Sequence, residues 1–285
     1  MEKIIETFVN GLSYGMILFL IASGFSLIFG VMGILNLAHG ALYMLGAYVG
    51  FTVAQATHIY FSGLLAAIVV IGLLGILLQQ AFLTRLYKQI PEQVLLTLGL
   101  VYFFSNLVLW IWGPFAKVGS PPGFTAGSMD IGDMTFSIYR LVLILVGIAI
   151  AVGLYLFQEK SRYGAIIRAG MNDKEMIMAL GINYQLVSCL VFFLGSVLVG
   201  SAGYLGSPIL GMHPWMSFDV LLLALAVIVI GGVGYVQGAL LGAVSIGLID
   251  SFGKVYFADF ALFTIYLVML ITLMVRPTGL MGKTR

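Results

Sequence analysis

The chain has 285 residues, of which 61% are hydrophobic and only 8% are charged, whereas soluble domains carry about 25% charged residues. Residues 7–84 contain no Asp, Glu, Lys or Arg, a stretch far longer than the roughly 20 apolar residues that cross a bilayer. These features exclude an ordinary soluble domain, and a net charge of +2 without a basic cluster argues against nucleic-acid binding.

Long apolar segments follow one another along the chain, separated by prolines, glycines and charged residues. Helices satisfy their own backbone hydrogen bonds in lipid, whereas a β-barrel would need short alternating segments, so these runs predict an all-α polytopic membrane protein. Residues 217–252 could form two spans or one broken hairpin, so we expect about eight to nine transmembrane helices. The candidate spans are 8–30, 37–56, 62–83, 94–113, 138–157, 185–206, 217–233, 237–252 and 259–276.

Prolines mark several of the breaks between these spans. Pro114, Pro121 and Pro122 open a loop that runs through Asp133, and Pro208 and Pro214 are expected to interrupt the region after the span 185–206. No shift in composition divides the chain, so we expect residues 1–285 to form a single transmembrane domain.

The basic residues are unevenly distributed between the connecting segments. The positive-inside rule places the loops 84–93 and 158–184 and the C-terminal tail in the cytoplasm, and with nine spans the N-terminus lies outside. The expected location is therefore the cytoplasmic (inner) membrane. Nine of the thirteen basic residues then lie inside: Arg85, Lys88, Lys160, Arg162, Arg168, Lys174, Arg276, Lys283 and Arg285.

Residues 159–184, which we call the charged segment, hold an unusual share of the charge. Their sequence predicts one short helix, with Asn172 as N-cap, Glu175 completing a capping box and Gly181 ending the helix in left-handed geometry. The apolar flank of this helix, which includes Met176 and Leu180, suits a partner protein. The alternative is a solvated loop that only fixes the orientation.

Four motifs occur in order between residues 33 and 282: GILNLAHGALYMLGAY (33–48), RYGAIIRAGMNDKEMIMALGIN (162–183), VIGGVGYVQGALLGA (229–243) and RPTGLMG (276–282). Together they resemble the motifs of permeases from ATP-binding cassette (ABC) importers, specifically the branched-chain amino acid (Liv-type) family with its urea and amide relatives. The second motif resembles the cytoplasmic segment on which the ATPases dock.

This resemblance implies a type II ABC importer permease fold that translocates branched-chain or related small amino acids. It implies a homologous second permease subunit, cytoplasmic ATP-binding cassette subunits and an extracytoplasmic solute-binding protein as partners in the bilayer. ATP is then used by the partner subunits, and no cofactor is bound by this chain. The implied ATPase-coupling residues are Arg162, Gly164, Arg168, Ala169, Asp173, Glu175, Ala179 and Gly181.

Two groups of residues are candidates for the translocation path. Asn36 and His39 could present a polar pair, or the start of a helix, towards the path, or else form a cap with a histidine packed at the membrane interface. Ser196, Gly200 and Gly203 lie on one helical stripe, which suits close helix packing and also a pore lining.

Two further classes of function remain as alternatives. A self-contained channel or secondary transporter is disfavoured because charged residues are missing from mid-span positions. A membrane-embedded enzyme is disfavoured because no nucleophile–base pair and no metal-ligand spacing occurs, so we expect no catalytic or metal site. The sequence does not distinguish branched-chain amino acids from urea or short amides as the solute.

Overall fold

Helices make up almost all of the structure, a computed structural model that describes residues 2–33, 36–86, 89–131, 134–172, 174–232, 234–276 and 279–281. The elements in chain order are α1 (Glu2–Met32), α2 (His39–Thr57), α3 (Tyr60–Leu78) with a π-helical extension (Gln79–Leu83), α4 (Ile90–Trp112), β1 (Ser128–Ile131), β2 (Met134–Ser137), α5 (Ile138–Lys160), α6 (Arg162–Asn172), α7 (Lys174–Ala179), α8 (Tyr184–Leu210), α9 (Met216–Gly231), α10 (Val236–Tyr256) and α11 (Ala261–Val275).

Each predicted span coincides with one of these helices, which confirms the predicted class of helical membrane protein. In the described part of the chain, six helices are long and apolar enough to cross a membrane: α1, α3 with its extension, α4, α5, α8 and α10. α9 and the Phe263–Val275 part of α11 are shorter apolar helices. The count of eight to nine spans therefore stays a prediction.

The connection between α4 and α5 differs from the predicted loop because it contains a β-hairpin. β1 and β2 pair antiparallel, with Ser128 opposite Ser137 and Met129 opposite Phe136. The side chain of Phe136 is only 7% exposed, and β2 packs near α1 and α5. Four-residue strands are too short for their alternation to stand out in the sequence.

Helix α1 runs through the centre of the bundle and packs against α5, α8, α9 and α10. Every residue from Gly15 to Ile28 is buried. Gly24 lies so close to α8 that an added Cβ would be 2.6 Å from the carbonyl oxygen of Gly195. Membrane helices associate largely through such close packing, so small residues on α1 determine how near its neighbours can come.

The stripe of small residues on α8 also forms helix contacts. Ser196 and Gly200 face α3, and Gly203 lies against the backbone carbonyl group of Tyr43 in α2. The predicted packing role is therefore confirmed for all three residues. Their contribution to a pore lining stays a prediction.

Candidate functional site

The charged segment forms two helices: α7 (Lys174–Ala179) lies within the predicted short helix, whereas α6 (Arg162–Asn172) was not predicted. α6 starts directly after α5, because the hydroxyl oxygen of Ser161 accepts the N–H of Gly164 at 2.9 Å. The same hydroxyl donates to the Phe157 carbonyl oxygen at 2.6 Å. Ser161 is thus an N-cap, whereas the predicted helix starts only after Asn172.

The predicted cap at Asn172 falls inside the structure's first helix of the segment. α6 continues through Asn172, so this residue ends one helix before α7 begins at Lys174. Asp173 and the side chain of Asn172 lie outside the described residues. The capping box between Asn172 and Glu175 therefore stays a prediction.

The predicted stop at Gly181 is confirmed. Gly181 has φ +77°, in the left-handed region that favours glycine. Its N–H donates to the Met178 carbonyl oxygen at 3.0 Å, and the N–H of Ile182 donates to the Ile177 carbonyl oxygen at 3.3 Å. These two bonds form a Schellman motif, which satisfies carbonyl groups that the end of α7 would otherwise leave unpaired.

Two of the predicted coupling residues make contacts within the chain. Gly164 is buried, and a side chain at this position would collide with the carbonyl oxygens of Phe157 and Gln158 at the end of α5. The guanidinium of Arg168 lies 3.5 Å from the carboxylate of Glu159 and donates to the Glu159 backbone oxygen at 3.4 Å. Both residues hold α6 against the end of α5.

The remaining predicted coupling residues lie on the surface. These exposed residues are Arg162, Ala169, Glu175, Ala179 and Gly181. Around them Met176 of α7 (63%) and Leu180 just after it (72%) are exposed, whereas Ile167 is buried in an apolar cluster with α1 and α8, and Ile177 is buried against Gly170 of α6. The charged segment therefore presents an apolar surface with charged neighbours on a rigidly seated helix pair.

Met171 connects the charged segment to the rest of the bundle. Its terminal methyl group packs against Gly30 of α1 and Gly234 of the α9–α10 turn. A Cβ atom added to Gly30 would lie only 3.0 Å from this methyl group, and one added to Gly234 would collide with it. Gln158 of α5 reaches the same turn and donates to the Gly234 carbonyl oxygen at 3.4 Å. Gln158 lies outside the four motifs and Met171 lies inside the second one, but neither contact is evident from the sequence because the partners lie on distant segments.

The α9–α10 turn is held from two other directions. The N–H of Gly234 donates to the hydroxyl oxygen of Ser26 in α1 at 2.9 Å. The C-terminal tail crosses the end of α9, where the N–H groups of Leu280 and Met281 donate to the carbonyl oxygens of Ile230 and Gly231 at 2.8 and 3.1 Å. We call the meeting point of α1, α6, the α9–α10 turn and the tail the junction.

Three of the four sequence motifs thus meet at the junction, although they are far apart in the chain. The remaining motif, GILNLAHGALYMLGAY (33–48), begins directly after α1 and includes the first turns of α2. His39 Nε2 lies 3.0 Å from the Ile21 carbonyl oxygen, eleven residues before α1 ends at Met32. The side chain of His39 therefore lies beside α1 well before the C-terminal end of that helix.

Asn36 and His39 are both buried within the protein. Asn36 Oδ1 accepts the N–H of Ala38 at 3.1 Å, and the Asn36 carbonyl oxygen accepts the N–H of His39 at 3.2 Å. The His39 ring meets Phe25 edge to face at 5.3 Å between centroids. The N-cap of α2 is Ala38, so Asn36 holds the turn that precedes the helix and is not the predicted N-cap. The placement of His39 at the membrane interface stays a prediction.

A cavity of about 160 Å³ opens near the first residues of α9 and reaches α1 and α2. At its rim His213 Nε2 and the carboxylate of Asp219, both partly exposed, are 3.5 Å apart. Further in, its walls are mainly apolar and include Tyr14, Leu18, Ile21, Tyr43, Val220 and Leu223.

Comparisons with known proteins agree with the motif resemblance over nearly the whole chain. The family model described as branched-chain amino acid transport system / permease component matches residues 7–273. The high-affinity branched-chain amino acid transport system permease protein BraD of Pseudomonas aeruginosa is 27% identical, over 98% of this chain and 96% of BraD. The corresponding LivH proteins of Salmonella typhimurium and Escherichia coli K12 are 26% and 25% identical over the same shares. No solved structure gives a significant match.

Proposed function

The chain belongs to the permease-component family of branched-chain amino acid transport systems, and we propose that it is the membrane-spanning permease subunit of an ABC importer for branched-chain or closely related small amino acids. The observation that carries this proposal is the family match across residues 7–273, which includes all the membrane helices described above. ATP hydrolysis is assigned to separate subunits.

The partner ATPases dock, in this proposal, on the exposed surface of α6 and α7. Exposed Tyr163, Met176, Met178 and Leu180 supply apolar contact area, and Arg162 and Glu175 lie at its edge. Interfaces of this kind bury an apolar centre inside a charged rim. The charged segment and the tail then face the cytoplasm, which agrees with the distribution of basic residues.

Force from the ATPases passes through the junction. Ile167 seats α6 in the bundle, Ile177 packs against α6, and Met171 contacts both the end of α1 and the α9–α10 turn. A displacement of the docked helix pair therefore moves α1 and the α9–α10 turn together. Such rigid-body shifts of packed helices are a common form of conformational switching in proteins.

The other parts of the importer follow from the same assignment. A solute-binding protein delivers the amino acid at the opposite, extracytoplasmic face, and a second homologous permease completes the membrane part in the inner membrane. A permease for urea or short amides is the alternative within the family. The aliphatic walls of the cavity, which include Leu18, Val220 and Leu223, favour a branched-chain side chain.

Co-purification and reconstitution test the proposal. The tagged chain is expressed with its genomic neighbours, purified, and reconstituted into liposomes together with the binding protein. We expect an ATPase to co-purify and uptake of labelled leucine to require both ATP and the binding protein. Uptake that proceeds without ATP, with no ATPase attached, would instead identify a self-contained channel or secondary transporter.

A further inference from the structure

Two buried polar atoms at the amino end of α2 have no hydrogen-bond partner within the described part of the chain. They are Asn36 Nδ2 and His39 Nδ1. The residues are only 2% and 0% exposed, so both lie in the interior of the protein. Proteins leave few buried polar groups unpaired, and two such groups three residues apart in the chain need an explanation.

The two atoms differ in hydrogen-bonding character. The Ile21 carbonyl oxygen can only accept, so His39 Nε2 carries the proton, and a neutral imidazole then leaves Nδ1 as an acceptor. The Asn36 oxygen is engaged by the N–H of Ala38, so its Nδ2 remains as a donor. Residues 36–39 thus offer one unpaired donor group and one unpaired acceptor.

This combination matches the backbone of an α-amino acid. We propose that the amino end of α2 recognises the transported zwitterion, with Asn36 Nδ2 donating to its carboxylate and His39 Nδ1 accepting from its ammonium group. The N-terminus of a helix favours an anion, which places the carboxylate at the end of α2. The inference rests on the proposed function as an amino-acid importer.

The outer cavity gives this site a route from the binding protein. Tyr43 lies one turn after His39 on the same face of α2 and lines the cavity, as does Ile21, whose carbonyl group holds the His39 ring. Tyr43 and Ile21 therefore separate the cavity from the polar pair. Their displacement connects the two and admits the solute, with its aliphatic side chain against the apolar walls.

Helix α9 links this barrier to the junction. Gly40 of α2 is packed so closely on α9 that a Cβ would collide with the Ser217 carbonyl oxygen. The opposite end of α9 is the part that the C-terminal tail binds, at Ile230 and Gly231. A shift of α9 that starts at the junction therefore moves the contact with α2 beside the polar pair.

The test measures leucine imported per ATP hydrolysed by the complete importer in proteoliposomes. Asn36→Asp and Asn36→Ser are the informative variants, because Asp and Ser keep a side-chain oxygen that can accept the N–H of Ala38 but neither has the amide donor. The matched control is Asn106→Ser on α4, where the amide donates only to the exposed helix carbonyl of Tyr102. Thermal unfolding of the purified complexes checks that each variant is assembled.

We expect the ratio to fall by about tenfold or more in both Asn36 variants, as for loss of a hydrogen bond to a charged group, and to stay unchanged in Asn106→Ser. If Asn36→Asp does not assemble, Asn36→Ser, which brings no charge into the bundle, decides alone. A ratio within twofold of wild type in an assembled Asn36 variant would show that Asn36 only holds the turn before α2 and overturn the inference. Absence of ATP-driven leucine uptake by the wild type would overturn the proposed function itself.

Discussion

Replacement of Gly181 by valine tests whether the shape of the charged segment matters for coupling. Gly181 has φ +77°, and nothing lies within 4 Å of an added Cβ, so the substitution changes only the preferred backbone geometry. Left-handed geometry costs a non-glycine residue about 1–2 kcal/mol, and more for a β-branched one. About 2 kcal/mol is therefore the expected destabilisation of the Schellman motif.

This energy acts locally, because only the bonds from Gly181 to Met178 and from Ile182 to Ile177 depend on the turn. An increase of about 2 kcal/mol raises the population of the opened turn by roughly 30-fold. Hydrogen exchange over residues 174–182 measures this increase directly. ATP hydrolysis stimulated by the binding protein, in the reconstituted importer, measures its effect on coupling.

We expect the largest loss of stimulated ATP hydrolysis in Gly181→Val, a smaller loss in Gly181→Ala and the smallest in Gly181→Asn, since asparagine tolerates left-handed geometry best of the three. Gly153→Val is the matched control, because Gly153 lies on an exposed face of α5 with no atom near an added Cβ and an ordinary helical backbone. If Gly181→Val exchanged faster but hydrolysed ATP like the control, the shape of the turn would be irrelevant to coupling. Unchanged exchange would refute the energetic argument.

Two further predictions concern the contacts that hold the charged segment and the junction. Arg168→Glu places a second carboxylate beside Glu159 and should reduce stimulated ATP hydrolysis several-fold. The double variant Arg168→Glu/Glu159→Arg should recover part of the activity, because an exposed ion pair contributes up to about 1 kcal/mol. No recovery in the double variant would assign Arg168 to the partner ATPase. Ser26→Ala leaves the buried N–H of Gly234 without its acceptor and should destabilise the purified permease by about 1–3 kcal/mol in chemical unfolding. The control Ser23→Ala loses a bond within α1 and should reduce the unfolding free energy by less. Equal losses in the two variants would contradict a role for Ser26 in the junction.

The fold class could be predicted from the sequence because it depends on local composition. Uninterrupted apolar runs identified the helices, and Gly181 could be recognised as a helix stop because its role is set by its own backbone. The ends of the helices were harder to predict from the sequence. Pro208 was expected to end α8, but the helix continues to Leu210. Pro208 has no N–H to donate to the Tyr204 carbonyl oxygen, and the Ser207 hydroxyl donates to this oxygen in its place.

The junction could not be predicted, because it depends on which distant segments meet. Met171 is an ordinary apolar residue in the sequence, and it becomes a connecting residue only because Gly30 and Gly234 leave room for its methyl group. Ser26 is one of several serines in α1, and nothing local distinguishes it until the α9–α10 turn arrives at its hydroxyl. Glycine and serine in such motifs specify how closely backbones approach, and that information requires the partner.

Helix α9 suits the transmission of movement better than a flexible connection would. At 1.5 Å per residue its sixteen residues form a rod of about 24 Å between Ser217 and the junction. Both ends are held through backbone groups, by Gly40 at one end and by the N–H groups of Leu280 and Met281 at the other. Backbone contacts cannot be relieved by a change of side-chain rotamer, so movement at one end of α9 has to displace the helix as a whole.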